Sequence, residues 1–205
     1  MFDILSILNA SSLAEAMESQ EYIEITLDYR DIVVTNYNKY SMEEIQNLAT
    51  GILLSGELQE PLCLARINGE YWLISGHRRL AAIKLLVSEG HTQFEKLKCR
   101  YKDMTETQFR IELLTGNTFN RKMSDYDIMM QAQEWKAVLK QAKAEGSLIL
   151  DKSQRIRDYV AHILGESTGK IGQLEAINKN ATAEVKEKFK TGDMGITSAY
   201  AARCV

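Results

Sequence analysis

The chain has 205 residues, 45% of them hydrophobic and 26% charged, with a formal net charge of −3. That apolar content excludes a largely disordered chain, and no run approaches the ~18 unbroken apolar residues of a membrane span. Three scattered cysteines, Cys63, Cys99 and Cys204, exclude a disulfide framework and show no metal-ligand spacing. The first 20 residues lack a basic leading region and carry Asp3, Glu15 and Glu18, so no secretory signal is expected and a cytoplasmic location fits. Charge is unevenly spread. Residues 152–205 carry three more basic than acidic side chains, and residues 1–151 carry six more acidic than basic ones. A basic quarter on an acidic body points to a polyanion partner for that quarter, with chance clustering as the alternative.

In chain order, residues 1–20 read as an amphipathic helix or arm. Residues 21–35 are rich in β-branched side chains and predict one strand. Ser41 and Glu44 are spaced as a capping box, opening a helix that buries Ile45, Leu48, Ala49, Ile52 and Leu53 and ends at Gly56. Pro61 opens a strand over Leu62–Arg66. Asn68-Gly69 then predicts a two-residue hairpin turn, because both central positions need positive φ, and Tyr71–Ile74 returns as the partner strand. Gly76-His77-Arg78-Arg79 leads directly into a helix over Leu80–Leu86. A further strand is expected at Leu97–Tyr101. Thr105 with Gln108 caps a helix reaching about Leu114, and Ser124 with Asp127 caps a long helix reaching about Glu145. From Ser153 onward the pattern is helical, broken by glycines.

The Gly76–Arg79 turn is the first candidate site. A helix N-terminus presents backbone N–H groups and the positive end of the helix dipole to an anion. Gly76 permits close backbone approach, and Arg78 and Arg79 add forked donors that match phosphate. The alternative is a surface turn whose arginines pair with neighbouring carboxylates. His77 is an acid/base or anion-donor candidate, and no nearby Cys/His pair makes it a metal ligand.

The second candidate is Arg155–Asn178. A helix burying Ile156, Val160, Ala161 and Leu164 ends at Gly165; Ser167 or Thr168 then caps a second helix burying Ile171 and Leu174 and exposing Lys170, Gln173 and Lys179. The spacing describes a helix-turn-helix, with a helical hairpin of an interaction domain as the alternative. In the first reading the second helix enters the DNA major groove. Ser167, Thr168, Lys170, Gln173 and Lys179 then contact DNA, and Arg155 and Arg157 hold backbone phosphates.

These residues carry a family resemblance. Glu43-Glu44-Ile45, Leu58–Leu62 with Arg66, and Ile74–Ala82 resemble the N-terminal domain of the ParB/Spo0J/Noc partition proteins. Ala176–Asn180, Phe189–Gly192 and Gly195–Tyr200 resemble the segments after their helix-turn-helix, so the likeness spans roughly residues 22–203. It implies an α+β fold, with a ParB/sulfiredoxin-like mixed-sheet domain over residues 1–122 and an all-α DNA-binding domain over 123–205. It implies CTP with Mg2+ held at Gly76, His77, Arg78 and Arg79, with Asn117, Asn120 and Arg121 as the third family box. The family usually has Glu where His77 stands, so weak CTP hydrolysis is the most that box implies. Asn117 stands where a carboxylate is usual, which makes it a poor Mg2+ ligand. Sulfiredoxin's cysteine before the glycine is Ser75 here, so its redox chemistry is not supported. Expected partners are duplex DNA, a nucleotide, a second copy of the chain and a partner ATPase, in partitioning or local transcriptional control near the nucleoid. A ParB-fold enzyme (nuclease or small-molecule phosphotransferase) and an interaction adaptor are the competing readings.

Overall fold

The computed structural model describes residues 21–35, 44–119, 123–146 and 155–204. The chain divides into two compact units, whose described parts fall within residues 19–113 and from residue 114 onward. The division lies inside the helix Glu106–Phe119.

The first unit is a five-stranded mixed sheet. Its strands are β1 (Ile23–Asp28), β2 (Ile32–Val33), β3 (Leu62–Ile67), β4 (Glu70–Ser75) and β5 (Lys96–Asp103), in the order β1-β5-β3-β4-β2. β5 runs antiparallel to β1 and parallel to β3, in the register Ile25 opposite Cys99 and Leu62 opposite Cys99. The single strand expected over 21–35 is instead two strands on opposite edges of the sheet. The break has a local cause: Asp28 accepts from the Arg30 amide at 2.9 Å and from the Arg30 guanidinium at 2.7 Å, which folds residues 29–31 into a 3-10 turn.

Helices α1 (Ile45–Ser55) and α2 (His77–Ser88) supply one core with one face of the sheet, including Ala49, Ile52, Leu62, Leu64, Leu73, Leu80 and Ile83. Against Ala65, Ile67 and Ile74 lie Phe109 and Leu113 of α3 (Glu106–Phe119), with Trp72 meeting Phe109 edge-on at 5.4 Å. The hairpin forms as expected, with Asn68 at φ 52 and Gly69 at φ 87. So does the Thr105/Gln108 box, with reciprocal bonds of 3.2 and 2.8 Å. Two expectations at α1 fail. Glu44 is the N-cap at φ 59 without a side-chain cap bond, so it is not the third residue of a capping box (Ser41 lies outside the described residues). Leu53 is exposed, because α1 turns only Ala49 and Ile52 fully inward.

The second unit is helical: α4 (Asp125–Ala144), α5 (Ile156–Ile163), α6 (Thr168–Asn180), α7 (Ala183–Thr191) and α8 (Ile196–Ala201). Ser124 and Asp127 form the expected box at the start of α4. Met129, Trp135 and Leu139 of α4, Val160 and Ile163 of α5, and Ile171, Leu174 and Ile177 of α6 make the core. Trp135 is buried, and its indole N–H donates to Thr118 Oγ1 at 3.1 Å, while that hydroxyl donates to the Leu114 carbonyl at 2.8 Å.

Candidate functional site

The anion-site candidate sits where β4 ends and α2 begins. Gly76 is the N-cap of α2, at φ 103, and the Leu80 amide donates to its carbonyl at 2.8 Å. A Cβ added at Gly76 would stand 2.4 Å from Leu62 Cδ2 and 3.4 Å from the Arg79 guanidinium. Glycine is therefore required twice, by the backbone angle and by the close approach of β3. The result is a helix N-terminus brought flush against the sheet, with its first-turn amides directed outward along the axis.

The flanking arginines differ. Arg79 folds back: its Nη1 donates to the Glu60 carbonyl at 2.6 Å and the Pro61 carbonyl at 3.3 Å, and lies 3.2 Å from the Glu60 carboxylate. It ties the start of β3 to α2. The Arg78 guanidinium stays about half exposed, 3.8 Å from the Glu44 carboxylate. The two arginines read as a phosphate fork thus each face a carboxylate. His77 is the first helical residue and only 9% exposed. Burial pulls its pKa from the ordinary 6.5 to about 4, which favours the neutral imidazole, with one ring nitrogen a donor and the other an acceptor.

On the neighbouring strands the sequence offered no signal for a second polar group. Arg100 Nε donates to Cys63 Sγ at 3.0 Å, and its guanidinium lies over the Tyr22 ring at 4.8 Å. The Tyr22 hydroxyl donates to Glu112 at 3.1 Å. Burial first, and the Glu112 charge second, push the Tyr22 phenol well above its ordinary range. Of the third box, the Asn117 backbone lies in α3 with its side chain outside the description, and Asn120 and Arg121 lie outside the described residues. Among the described residues no three His, Cys, Asp or Glu side chains converge as metal ligands.

The second candidate is the α5–α6 pair. Gly165 takes φ 66 in the turn, and the Ser167 hydroxyl accepts from the Lys170 amide at 3.1 Å, which makes Ser167 the cap of α6. Thr168 is the first residue of α6, and Gln173 is half-buried on its flank. Lys179 is exposed, as expected. Lys170 is not exposed as expected: its ammonium is 2.8 Å from Glu166 and 2.9 Å from Asp125, two carboxylates that bracket it. Arg155 caps α5 with Asp158 at 3.1 Å, and its side chain remains 70% exposed. Arg157 Nε donates to Glu175 at 2.8 Å, and Lys136 reaches the same carboxylate at 2.6 Å. Burial alone would raise the Glu175 carboxyl; the Lys136 and Arg157 bonds outweigh it and hold it below the ordinary value.

The family described as ParB N-terminal domain matches residues 12–118, just over half of the chain. The chain belongs to the ParB family. Among solved structures it is similar to the C-terminally truncated chromosome-partitioning protein ParB from Caulobacter crescentus complexed to the centromeric parS site. That likeness has 12% identity and a TM-score of 0.51, covering 88% of this chain and 85% of that one. A Pnob8-like ParB-N domain matches at 14% identity and a TM-score of 0.58, covering 88% and 79%. At these identities the likeness is one of fold, α+β with a ParB-like mixed sheet. No curated protein matches the chain. Among the described residues no helix is long and apolar enough to cross a membrane.

Proposed function

We propose that this ParB-family chain is a nucleotide-responsive DNA-binding protein, with a nucleotide domain over residues 1–122 and a DNA-binding domain over 123–205. The observation that carries the nucleotide half is the Gly76 turn. A helix N-terminus held flush on the sheet, at a position no side chain can occupy, suits a polyphosphate. Gly76 and the amides of His77 and Arg78 would cradle phosphate oxygens, and Arg78 would supply the forked charge. Asn117, Asn120 and Arg121 are the further candidate nucleotide contacts that the family resemblance implies. CTP is the nucleotide that family membership favours. The described carboxylates offer no cluster for Mg2+, so any divalent cation would arrive on the phosphates, with Asn117 at most a weak contact.

For the DNA half, α5 and α6 act as a helix-turn-helix, with α6 in the major groove. The C. crescentus relative complexed to parS DNA supports this reading. Arg155, Ser167, Thr168, Gln173 and Lys179 meet the duplex. Lys170 joins them once its two carboxylates yield it to a phosphate. Nucleotide binding would favour a closed, self-associated form, in plasmid, chromosome or mobile-element partitioning or in local transcriptional control. A second copy of the chain and a partner ATPase would be its protein partners.

The test is a melting assay with CTP, ATP, GTP and UTP, each with and without Mg2+. The true ligand raises the melting temperature and the others do not. Arg78→Ala should abolish that shift while leaving duplex binding intact. Identical CTP titrations of Arg78→Ala and wild type would refute the phosphate site.

A further inference from the structure

The side of α6 opposite its buried stripe is nearly bare of side chains. Ile171, Leu174 and Ile177 are buried, and at 3.6 residues per turn the opposite side of the helix carries Gly169, Gly172, Ala176 and Lys179. Three of those four have no side chain able to reach a base edge. Thr168 and Gln173 flank that face, but its centre, Gly172 and Ala176, can be read only by a side chain from elsewhere.

One side chain fills the gap from outside the helix. Arg157 of α5 lies across Gly172: a Cβ built there would be 3.4 Å from Nη1, 3.7 Å from Cζ and 3.9 Å from Nε. The guanidinium lies in van der Waals contact with the place a Cβ at 172 would take. It is also held in orientation. Nε donates to Glu175 Oε2 at 2.8 Å, and Nη2 donates to the same oxygen. Glu175, one turn along α6, is steadied in turn by Lys136 of α4 at 2.6 Å. Only the side edge of the guanidinium is spent this way. Its end edge, the Nη1–Nη2 pair, is the edge that binds guanine O6 and N7. The side chain is 37% exposed, and it borders a cleft of about 460 Å³ between α4 and α6, lined by Met129, Gln133, Lys136, Gly172 and Ala176.

We propose that Arg157 is a base reader, a guanine-specific fork carried on α5, laid over Gly172 and aimed by Glu175. This rests on the duplex-DNA reading above and replaces the sequence expectation that Arg157 holds a backbone phosphate. Glu175 is a positioning residue. Its carboxylate fixes the fork, and with Lys136 and Arg157 the triad keeps one net positive charge at the groove.

The experiment starts with selection of 20-base-pair duplexes from a randomised pool by the wild-type full chain. Each guanine of the selected duplex is then replaced in turn by 7-deazaguanine, which lacks the N7 acceptor. At one guanine the replacement should weaken wild-type binding about tenfold, the scale of a lost bidentate base contact. Arg157→Ala should bind the unmodified duplex more weakly and be indifferent to that same replacement, with an unchanged circular-dichroism spectrum; Arg157→Met provides a second variant that keeps the packing over Gly172. Glu175→Gln should lose part of the 7-deazaguanine sensitivity yet bind a shuffled duplex more tightly, because a negative charge has left the groove. A merely structural role would not move those two readouts in opposite directions.

The proposal is overturned if Arg157→Ala weakens selected and shuffled duplexes equally, with deazaguanine sensitivity intact, since that is the behaviour of a phosphate contact. A selected site with no fixed guanine also overturns it. In both cases the DNA-binding reading stands. If the wild type selects no sequence at all, that reading falls and this proposal falls with it.

Discussion

Substitution of Gly76 by alanine tests the geometry on which the anion site depends. The new methyl group would sit 2.4 Å from Leu62 Cδ2, and Leu62 is fully buried in the core between β3 and α2. Neither neighbour can withdraw easily, since Leu62 is packed on all sides and Gly76 is the residue from which α2 starts. Two costs add. A non-glycine residue in the left-handed region loses ~1–2 kcal/mol, and overpacking a core adds ~1–3 kcal/mol. A total of about 2–5 kcal/mol would lower the melting temperature of a unit of this size by about 10–25 °C. The assay is thermal unfolding of Gly76→Ala, Leu62→Ala and the double variant. Leu62→Ala alone leaves a cavity and costs ~2–5 kcal/mol. In the double variant the alanine methyl enters that cavity, so the two losses should fall short of their sum by ~1–2 kcal/mol. If Gly76→Ala melts with the wild type, or if the losses add, the close approach of β3 to the turn is not what demands glycine.

Further measurements bear on other parts of the molecule. The folded chain holds His77 at a pKa of about 4 against an ordinary 6.5; the unfolded chain therefore binds the proton first, and stability falls as pH drops from 6.5 to 4, by at most ~3 kcal/mol. His77→Asn should flatten that part of a urea-unfolding profile, and an unchanged slope would refute the burial argument. Thr118→Val strands the buried Trp135 indole N–H, and should cost ~1–3 kcal/mol in chemical unfolding of the helical unit; no loss would mean the bond contributes nothing. Asp125→Asn with Glu166→Gln frees Lys170, and should tighten duplex binding and steepen its dependence on log salt by up to about 0.9. A slope equal to that of wild type would show that Lys170 never reaches a phosphate.

Features governed by neighbours in sequence were legible without coordinates. Asn68-Gly69, the Thr105/Gln108 and Ser124/Asp127 boxes, Gly165 and the Ser167 cap depend on backbone angles and bonds spanning two to four residues. Burial of Ala49 and Ile52, or of Ile171 and Leu174, follows from helical spacing for the same reason. The location of both candidate sites, a glycine before a helix and a glycine between two helices, is local information as well.

What each cation does was decided elsewhere. Arg79 finds Glu60 and Pro61 across 19 and 18 positions, Arg157 finds Glu175 across 18, and Lys170 meets Asp125 of another helix. The split of residues 21–35 onto opposite sheet edges depends on which strands are free to pair, a property of the assembled sheet. Periodicity assigns a residue to a face of its own element. Whether that face meets solvent, a carboxylate or a bare patch of glycine is set by the elements packed beside it, because electrostatic and packing energies depend on distance in space and not along the chain.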